Sequence, residues 1–511
     1  MKEIKYYFPK ERLIKPLLYI IYYFIYCHSI FSQSLVPKYD YNWVLDSYGT
    51  PCLVIQFGND TIVYDSLNMD FGYTNACISD IDGKLISYSN GCQINNSTFG
   101  PMENGQQINP GQVHRENCPA GRYPAGEQGA VFIPDPGDSM RYYLLHASIA
   151  IQDFPILKTW VDAISYSIVD LKYNNGLGKV ILKNNPIITD SSICAEMAVV
   201  KNINNKDFWI LSKVAYENAY YRMLLNSNGI SVIGKQNNLG DTSSIKDFPL
   251  GVCIFSPNGE KFIRYSVYLD NISLFDFDRS TGLLSNYRSI PVIDSMMLDG
   301  GACFSPSGRF LYVGTYWDLY QYDLEAVDIK ASEVHIAHWD GFRYRNIFSH
   351  MIGRMQLGPD CKIYVNCRNS MKYLHVINKP DEKGLACDFH QNQLELPQTH
   401  GGFLPSFPNY RLGVAPVCDP NLAVSVYEIQ IHRYLSVYPN PASDEVTLDA
   451  GDLGIKSVQI LDLLGQMVYH QKINPTPSIR LKLGNFNPGT YIVVCVLNNG
   501  TSLRAKLIIH K

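Results

Sequence analysis

The stretch Phe255-Ser256-Pro257-Asn258-Gly259-Glu260-Lys261-Phe262-Ile263 recurs as Phe304-Ser305-Pro306-Ser307-Gly308-Arg309-Phe310-Leu311-Tyr312. It returns, altered, as Leu357-Gly358-Pro359-Asp360-Cys361-Lys362-Ile363-Tyr364-Val365. The spacing is about fifty residues, a period within the range of propeller blades. Each copy reads as an apolar strand, a turn in which Pro fixes φ and Gly takes positive φ, and an aromatic-rich strand. An alternating third strand follows, as Ile272-Ser273-Leu274-Phe275-Asp276-Phe277-Asp278 and as Leu319-Tyr320-Gln321-Tyr322-Asp323-Leu324. Cys361 replaces the turn glycine in the third copy. Either that turn changes type, or a residue with a Cβ accepts positive φ at a cost of roughly 1 kcal/mol.

Weaker copies precede these at 78–86, at 131–137 with Tyr142-Tyr143-Leu144-Leu145, and at 204–211, giving six turn-centred units. Radially arranged sheets bury both faces only when the ring closes, commonly through an N-terminal strand, for which 51–64 is the candidate. Scattered Gly and Pro and the lack of a sustained 3.6-residue period argue against helices. The expected fold is all-β: a β-propeller at 40–424, with six or seven blades and seven preferred because the N-terminal strands and 400–410 supply another sheet. A small immunoglobulin-like β-sandwich at 434–511 follows a linker at 425–433.

The tail opens with Leu435-Ser436-Val437-Tyr438-Pro439-Asn440-Pro441-Ala442, a stiff arm because two prolines fix φ around Asn440. Short alternating runs follow, with turn chemistry at Asn487-Pro488-Gly489 and Asn498-Asn499-Gly500. The Tyr438, Pro439, Asn440, Pro441 arm, the Ile460-Leu461-Asp462-Leu463-Leu464-Gly465-Gln466 run, Pro488-Gly489-Thr490-Tyr491 and a basic end at Lys511 resemble the type A C-terminal sorting domain of type IX secretion cargo. The resemblance implies recognition by an outer-membrane translocon and removal by a sortase-like peptidase, with the cargo released or joined to surface lipopolysaccharide. The body, through Asp82-Gly83-Lys84-Leu85-Ile86, Phe208-Trp209-Ile210 and Leu404-Pro405-Ser406-Phe407-Pro408-Asn409-Tyr410-Arg411-Leu412-Gly413, resembles uncharacterised propellers that accompany such tails. That likeness implies architecture only.

At the other end, Lys2, Lys5, Lys10, Arg12 and Lys15 precede an apolar run at 16–26 and a more polar stretch at 28–34. This is the layout of a secretory signal peptide at 1–32, and the run is too short for a spanning helix. Signal and tail together imply a secreted or outer-surface protein of a gram-negative cell, with no transmembrane span in the mature chain. Loss of 1–32 removes five basic and two acidic side chains, so the formal charge moves from −4 to −7. A mildly acidic chain without a basic cluster argues against nucleic acid.

Thirteen cysteines become twelve when Cys27 leaves with the signal. An oxidising destination permits disulfides, and Cys77 with Cys92, or Cys361 with Cys367 or Cys387, are close enough in sequence to pair across strands. Small buried thiols are the alternative. No C-x-x-C pair is present, which removes the zinc-ribbon and thiol-redox readings.

No nucleophile elbow, phosphate loop, H-E-x-x-H helix or complete EF-hand loop occurs, so no catalytic residue, metal ligand or cofactor is assigned. Asp80-x-Asp82-Gly83 opens like a calcium loop, but an Asp-Gly hairpin explains it. His335, His338 and His350 bracket Trp339, Asp340, Arg343 and Arg345, with His375, His390 and His400 beyond, and a metal or acid/base site there would need loops to gather them. Glu103, Arg115, Glu116, Arg122 and Glu127 lie in a Gly/Pro-rich stretch at 100–129, read as a solvated insertion with one extra hairpin. Tyr316, Trp317, Tyr320, Trp339, Tyr344 and Tyr373 suit stacking on sugars. The favoured reading is therefore an exported binding or adhesion module for a glycan or surface protein, with the ligand-binding residues left open. A secreted hydrolase or lyase is the alternative. Charged side chains round a central channel would favour the enzyme, and an aromatic loop face would favour binding. Peptidase removal of the tail would cut within 425–433, so the intact mass of protein recovered from the surface or medium should lack 434–511; retention of the whole tail there would contradict processing.

Overall fold

The computed structural model describes residues 36–45, 53–58, 69, 71, 73–152, 158–190, 193–242, 251–292, 299–367, 369–401, 404–422, 424–428, 435–450, 454–498 and 502–510. The signal-peptide reading, most of the linker and Lys511 fall outside them. The regular elements of the described chain are almost all strands, and they fall into two compact units, one ending at residue 428 and the other continuing from 429.

The body is a succession of antiparallel sheets. Strands Val252–Phe255, Lys261–Ser266, Asn271–Asp278 and Leu283–Pro291 make one; Gly301–Phe304, Phe310–Gly314, Asp318–Asp323 and Val334–His338 make the next. Met355–Leu357, Ile363–Val365, Met371–Ile377 and Phe389–His400 make a third. Ala76–Ser79, Leu85–Ser89 and Ile94–Asn96 form a smaller sheet, and eight strands between Ala130 and Gln236 form a broad one. Among the described residues, the two halves of the broad sheet pair strand to strand at one position, Ile193 with Val161. The first strands of successive sheets lie side by side. Ile263, Leu274, Leu311 and Val313 fill the space between two of the four-stranded sheets, which is why alternation in each strand needs apolar residues on both faces.

The turn behind the repeat is geometrically the same in five places. Gly83, Asn205, Gly259, Gly308 and Cys361 all have positive φ, and each donates its N–H to the carbonyl three residues back at 2.8–3.2 Å. Cys361 thus keeps the turn and bears the strain of its Cβ, with φ +65°. Residues 404–410 carry no strand.

The disulfides correct the sequence expectation. Cys92 bonds Cys118 and Cys361 bonds Cys418, whereas Cys77, Cys367 and Cys387 are free and buried. Proximity in sequence misled because the partners lie outside the repeat: Cys118 follows the short helix Gln112–Asn117, and Cys418 lies in the segment returning to the N-terminal strands. The stretch at 100–129 is likewise no solvated insertion, since Ile108, Val113, Tyr123 and Ala125 enter the core.

The ends of the body meet. Leu53–Phe57 pairs with Asn42–Leu45 on one side and with Val424–Glu428 on the other. Trp43 packs on Phe57 and on Tyr364 of the last four-stranded sheet, at ring separations of 5.0 and 5.4 Å. Buried Arg411 holds both oxygens of buried Asp40 at 2.6 Å, and donates to the carbonyls of Pro37 and Val417. Its neighbour Tyr410 donates to the carbonyl of Phe132 at 2.7 Å.

The tail has two sheets, Ser436–Tyr438, Glu445–Asp449 and Ser478–Lys482 facing Met467–Thr476, Ile455–Leu461, Gly489–Leu497 and Ser502–Ile509. They share one core built from Val446, Leu448, Val458, Ile460, Val493 and Leu507. Both Tyr438–Pro439 and Asn440–Pro441 are cis. The Asn440 side chain donates to Lys506 O at 2.7 Å and accepts from Ile508 N at 2.9 Å, pairing with the last strand as a backbone would.

Arg411→Ala should destabilise the body by about 3–5 kcal/mol in urea unfolding, because it strands the Asp40 carboxylate in the interior, and an Asp40→Leu/Arg411→Met double variant should lose less.

Candidate functional site at the 339–352 hairpin

Arg343–Tyr344 pairs with Phe348–Ser349 in a short hairpin. The turn between them carries Arg345 at φ +53° and Asn346 at φ +58°, closed by Ile347 N donating to Tyr344 O at 3.1 Å. Two positive-φ residues give the twist that a tight hairpin needs. The hairpin is tied down at its base. Trp339 N donates to Trp317 O at 2.7 Å, His350 N to Phe342 O at 3.2 Å, and Tyr316 exchanges backbone hydrogen bonds with Ile352.

Five of the six sequence-predicted aromatics converge here. Trp317 and Trp339 lie 4.7 Å apart at a 35° tilt, Tyr316 meets Trp317 edge-on, and Tyr344 approaches Tyr373. Phe342 and Phe348, not singled out from sequence, complete the group over buried Met351, Cys367 and Met371. Tyr320 goes elsewhere, packing against His335. Arg343 stacks on Trp339 and Arg345 on Tyr344, with guanidinium carbons 5.7 and 5.3 Å from the ring centres. Tyr316 has φ +74°, a strained conformation for a bulky residue.

The histidines do not form one site. His335 and His338 both approach Asp318 Oδ1 at 2.8 Å on the surface, and His390 pairs with Asp388. His350 and His375 stack at 3.6 Å beneath the hairpin, both buried. Asn392 bridges them, bonded through its Oδ1 to His350 Nδ1 and donating its N–H to His375 Nδ1 at 3.0 Å, and its Nδ2 reaches Asp340 at the base of the hairpin. Burial holds both imidazoles neutral: His375 is pushed down to about 4, and His350 lies well below its ordinary value. No group of three or more His, Cys, Asp or Glu with metal-binding geometry occurs among the described residues. The Asp80 carboxylate caps its own turn, accepting from Asp82 N and Lys84 N.

A charged cluster lies close by. Buried Arg354 reaches Asp299 at 3.4 Å and Glu127 at 3.5 Å, and a second buried pair, Arg264 with Glu196, makes two hydrogen bonds at 2.8 and 3.1 Å. Burial, opposed by Arg354 and reinforced by Asp299, raises the Glu127 carboxyl to about 7. Asp299 also lies near enough to Tyr316 to act on its hydroxyl. A cavity of about 100 Å³ opens among Gln128, Cys253, Ser256, Cys303, Gln356 and Asn409. Of the other charged residues at 100–129, Glu103 binds Lys179 at 2.7 Å and Glu116 binds Gln112 at 2.9 Å. Only Glu127 joins the interior cluster, and its sequence neighbourhood of Gly and Ala gave no sign of that.

The sorting residues are placed as follows. Tyr438 is half exposed at the end of its strand, Gly465 takes φ +81° in a turn with Leu463 and Leu464 exposed, and Tyr491 donates to Asn487 O at 2.8 Å beside Pro488 and Gly489. Residues 436–510 match the family of secretion system C-terminal sorting domains. The chain thus carries a C-terminal sorting domain of the type IX secretion system at its tail. It is accordingly secreted or attached to the outer surface of its gram-negative cell. Ulvan lyase NLR42 of Nonlabens ulvanivorans is 36% identical over 76 residues, 15% of this chain, and the chain covers only 14% of that protein's length. Among solved structures, the periplasmic gluconolactonase of Pseudomonas aeruginosa is 11% identical over 76% of this chain and 99% of its own, with a TM-score of 0.39. A protein of Bacteroides uniformis proposed to be a 6-phosphogluconolactonase gives 12% identity, the same coverages and a TM-score of 0.39.

Both histidines beneath the hairpin carry depressed pKa values, so the unfolded chain takes up more protons below its ordinary pKa of about 6.5. Their stabilisation is complete above that pH and is lost as the pH falls toward about 4. The melting temperature of the body should drop across this window, and His375→Gln should remove a part on the order of 3 kcal/mol.

Proposed function

We propose that this cargo is an exported binding or adhesion module that grips a glycan or surface protein through the aromatic hairpin face. The observation that carries the reading is the gathering of Tyr316, Trp317, Trp339, Phe342, Tyr344, Phe348 and Tyr373 around one exposed hairpin, all of them partly solvent-accessible. Rigid aromatics supply contact area at low entropic cost and dominate binding hot spots.

The body, expected at 40–424, is read as a seven-bladed β-propeller that runs on to 428, because its closing strand Val424–Glu428 takes the first part of the stretch expected as linker. Dividing the broad sheet at its Ile193–Val161 pair leaves seven sheets besides the two-stranded hairpin, the first made of the strands that join the chain's ends. Residues 434–511 serve as the sorting sandwich, with Tyr438, Pro439, Asn440, Pro441, Gly465, Pro488, Gly489, Tyr491 and Lys511 as its signal, read by the translocon and a sortase-like peptidase.

A second reading, a hydrolase or lyase, draws on Glu127, whose carboxyl sits near the neutral pKa that a general acid requires. Under it, Glu127→Gln would abolish turnover and leave binding intact. Under the favoured reading, Trp317→Ala or Trp339→Ala should weaken retention on a glycan array by roughly thirtyfold, the effect of a hot spot of about 2 kcal/mol. Unchanged binding in both variants would remove the hairpin from the site.

A further inference from the structure

We propose that the hairpin selects an anionic polysaccharide, one bearing carboxylate or sulfate groups, through Arg343 and Arg345. This rests on the reading of the hairpin as a binding face. Both arginines are exposed, and both guanidiniums lie over aromatic rings of the cluster. Stacking on Trp339 and Tyr344 holds a planar guanidinium in a fixed attitude, so less freedom is lost when its N–H groups meet an anion.

Neither arginine makes an ion pair among the described residues, and the carboxylates around them are engaged. Asp340 accepts from Phe342 N at 2.8 Å and Asn392 Nδ2 at 3.0 Å, and Glu395 is paired with Lys372 at 2.8 Å. The arginines of two neighbouring sheets are by contrast paired, Arg309 with Asp323 and Arg288 with Asp276. Two guanidiniums on one hairpin, without an ion pair among the described residues, run against the overall sign of a chain of formal charge −4. An anionic partner is the complement they fit.

The backbone supplies an independent argument. Arg345 occupies φ +53° at the tip, where glycine or asparagine closes the same turn with less strain, as Asn346 does beside it at φ +58°. A β-carbon at this tip position carries strain that glycine would relieve, and the contact of Arg345 with Tyr344, at a surface site, offsets part of it. The exposure of Arg345 and its place on Tyr344 point outward, to a ligand. Planar forks of this kind match carboxylate and sulfate oxygens, whereas neutral sugars need aromatic faces and neutral hydrogen-bond donors.

The test uses protein recovered from the cell surface or medium, with polygalacturonate and chondroitin sulfate as anionic probes, dextran as the neutral one and polyglutamate as an acidic peptide. Both anionic polysaccharides should bind, at least tenfold more weakly in 500 mM than in 50 mM NaCl, and dextran and polyglutamate should not. Arg345→Gly should melt at or above the wild-type temperature, because glycine relaxes the turn, yet lose tenfold or more in affinity, and Arg343→Gln should lose a similar factor. Equal binding of dextran, equal binding of polyglutamate, or undiminished affinity in both arginine variants would overturn the proposal. If Trp317→Ala abolishes binding while the arginine variants retain it, the anionic specificity fails and the binding reading stands. If none of the probes binds wild-type protein, the anionic proposal fails; if a full glycan array is also blank, the binding reading falls with it.

Discussion

The body depends on the buried bridge between Asp40 and Arg411, residues at opposite ends of the unit. A run of small antiparallel sheets has two raw edges unless its first and last strands are joined, and an unpaired edge is both unstable and prone to pair with other chains. The pairing of Leu53–Phe57 with Val424–Glu428 makes that junction. Arg411 ties the segment returning to that junction to the first described residues, satisfying the carboxylate of Asp40 and two backbone carbonyls with one guanidinium. A buried pair of this kind adds little net energy over an apolar substitute, but it tolerates only one geometry. Its contribution is therefore to specify where the ends meet.

What could be read from the residues was what local hydrogen bonding dictates. The turn at Gly259, Gly308 and Cys361 is written in consecutive residues, because Pro and Gly set φ within the turn itself, and the strand pattern around it follows from alternation. The Cys361–Cys418 and Cys92–Cys118 bridges were not legible, since their partners lie in segments without a repeat of their own. The aromatic group was half legible. Tyr316, Trp317, Trp339, Tyr344 and Tyr373 were recognisable as sugar-stacking types, but only the hairpin's fold brings Phe342 and Phe348 to them and sends Tyr320 elsewhere. The charged cluster was not legible at all: Glu127, Asp299 and Arg354 are far apart in sequence and converge only through tertiary packing.

The region around the hairpin combines strain with buried charge. Tyr316 and Arg345 hold positive φ, His350 and His375 are stacked neutral, and Arg354 draws two carboxylates into the interior. Proteins keep such unfavourable arrangements where surrounding packing over-determines them, and that is where recognition or chemistry is usually found. The body thus divides into a stiff frame and a small region whose internal conflicts the frame sustains.

The free cysteines carry a consequence for how the chain matures. Cys77, Cys253, Cys303, Cys367, Cys387 and Cys495 are all enclosed, and burial pushes the thiols of Cys77, Cys303, Cys367 and Cys495 up to about 12, leaving almost no thiolate to attack a disulfide. Once folded, the two native bridges are safe from scrambling by these neighbours. Before folding, the same sulfurs titrate near 8.5 and are as reactive as those destined to pair. Maturation in an oxidising compartment is therefore a race between collapse and oxidation, won only if the core closes over its thiols before an oxidant finds them.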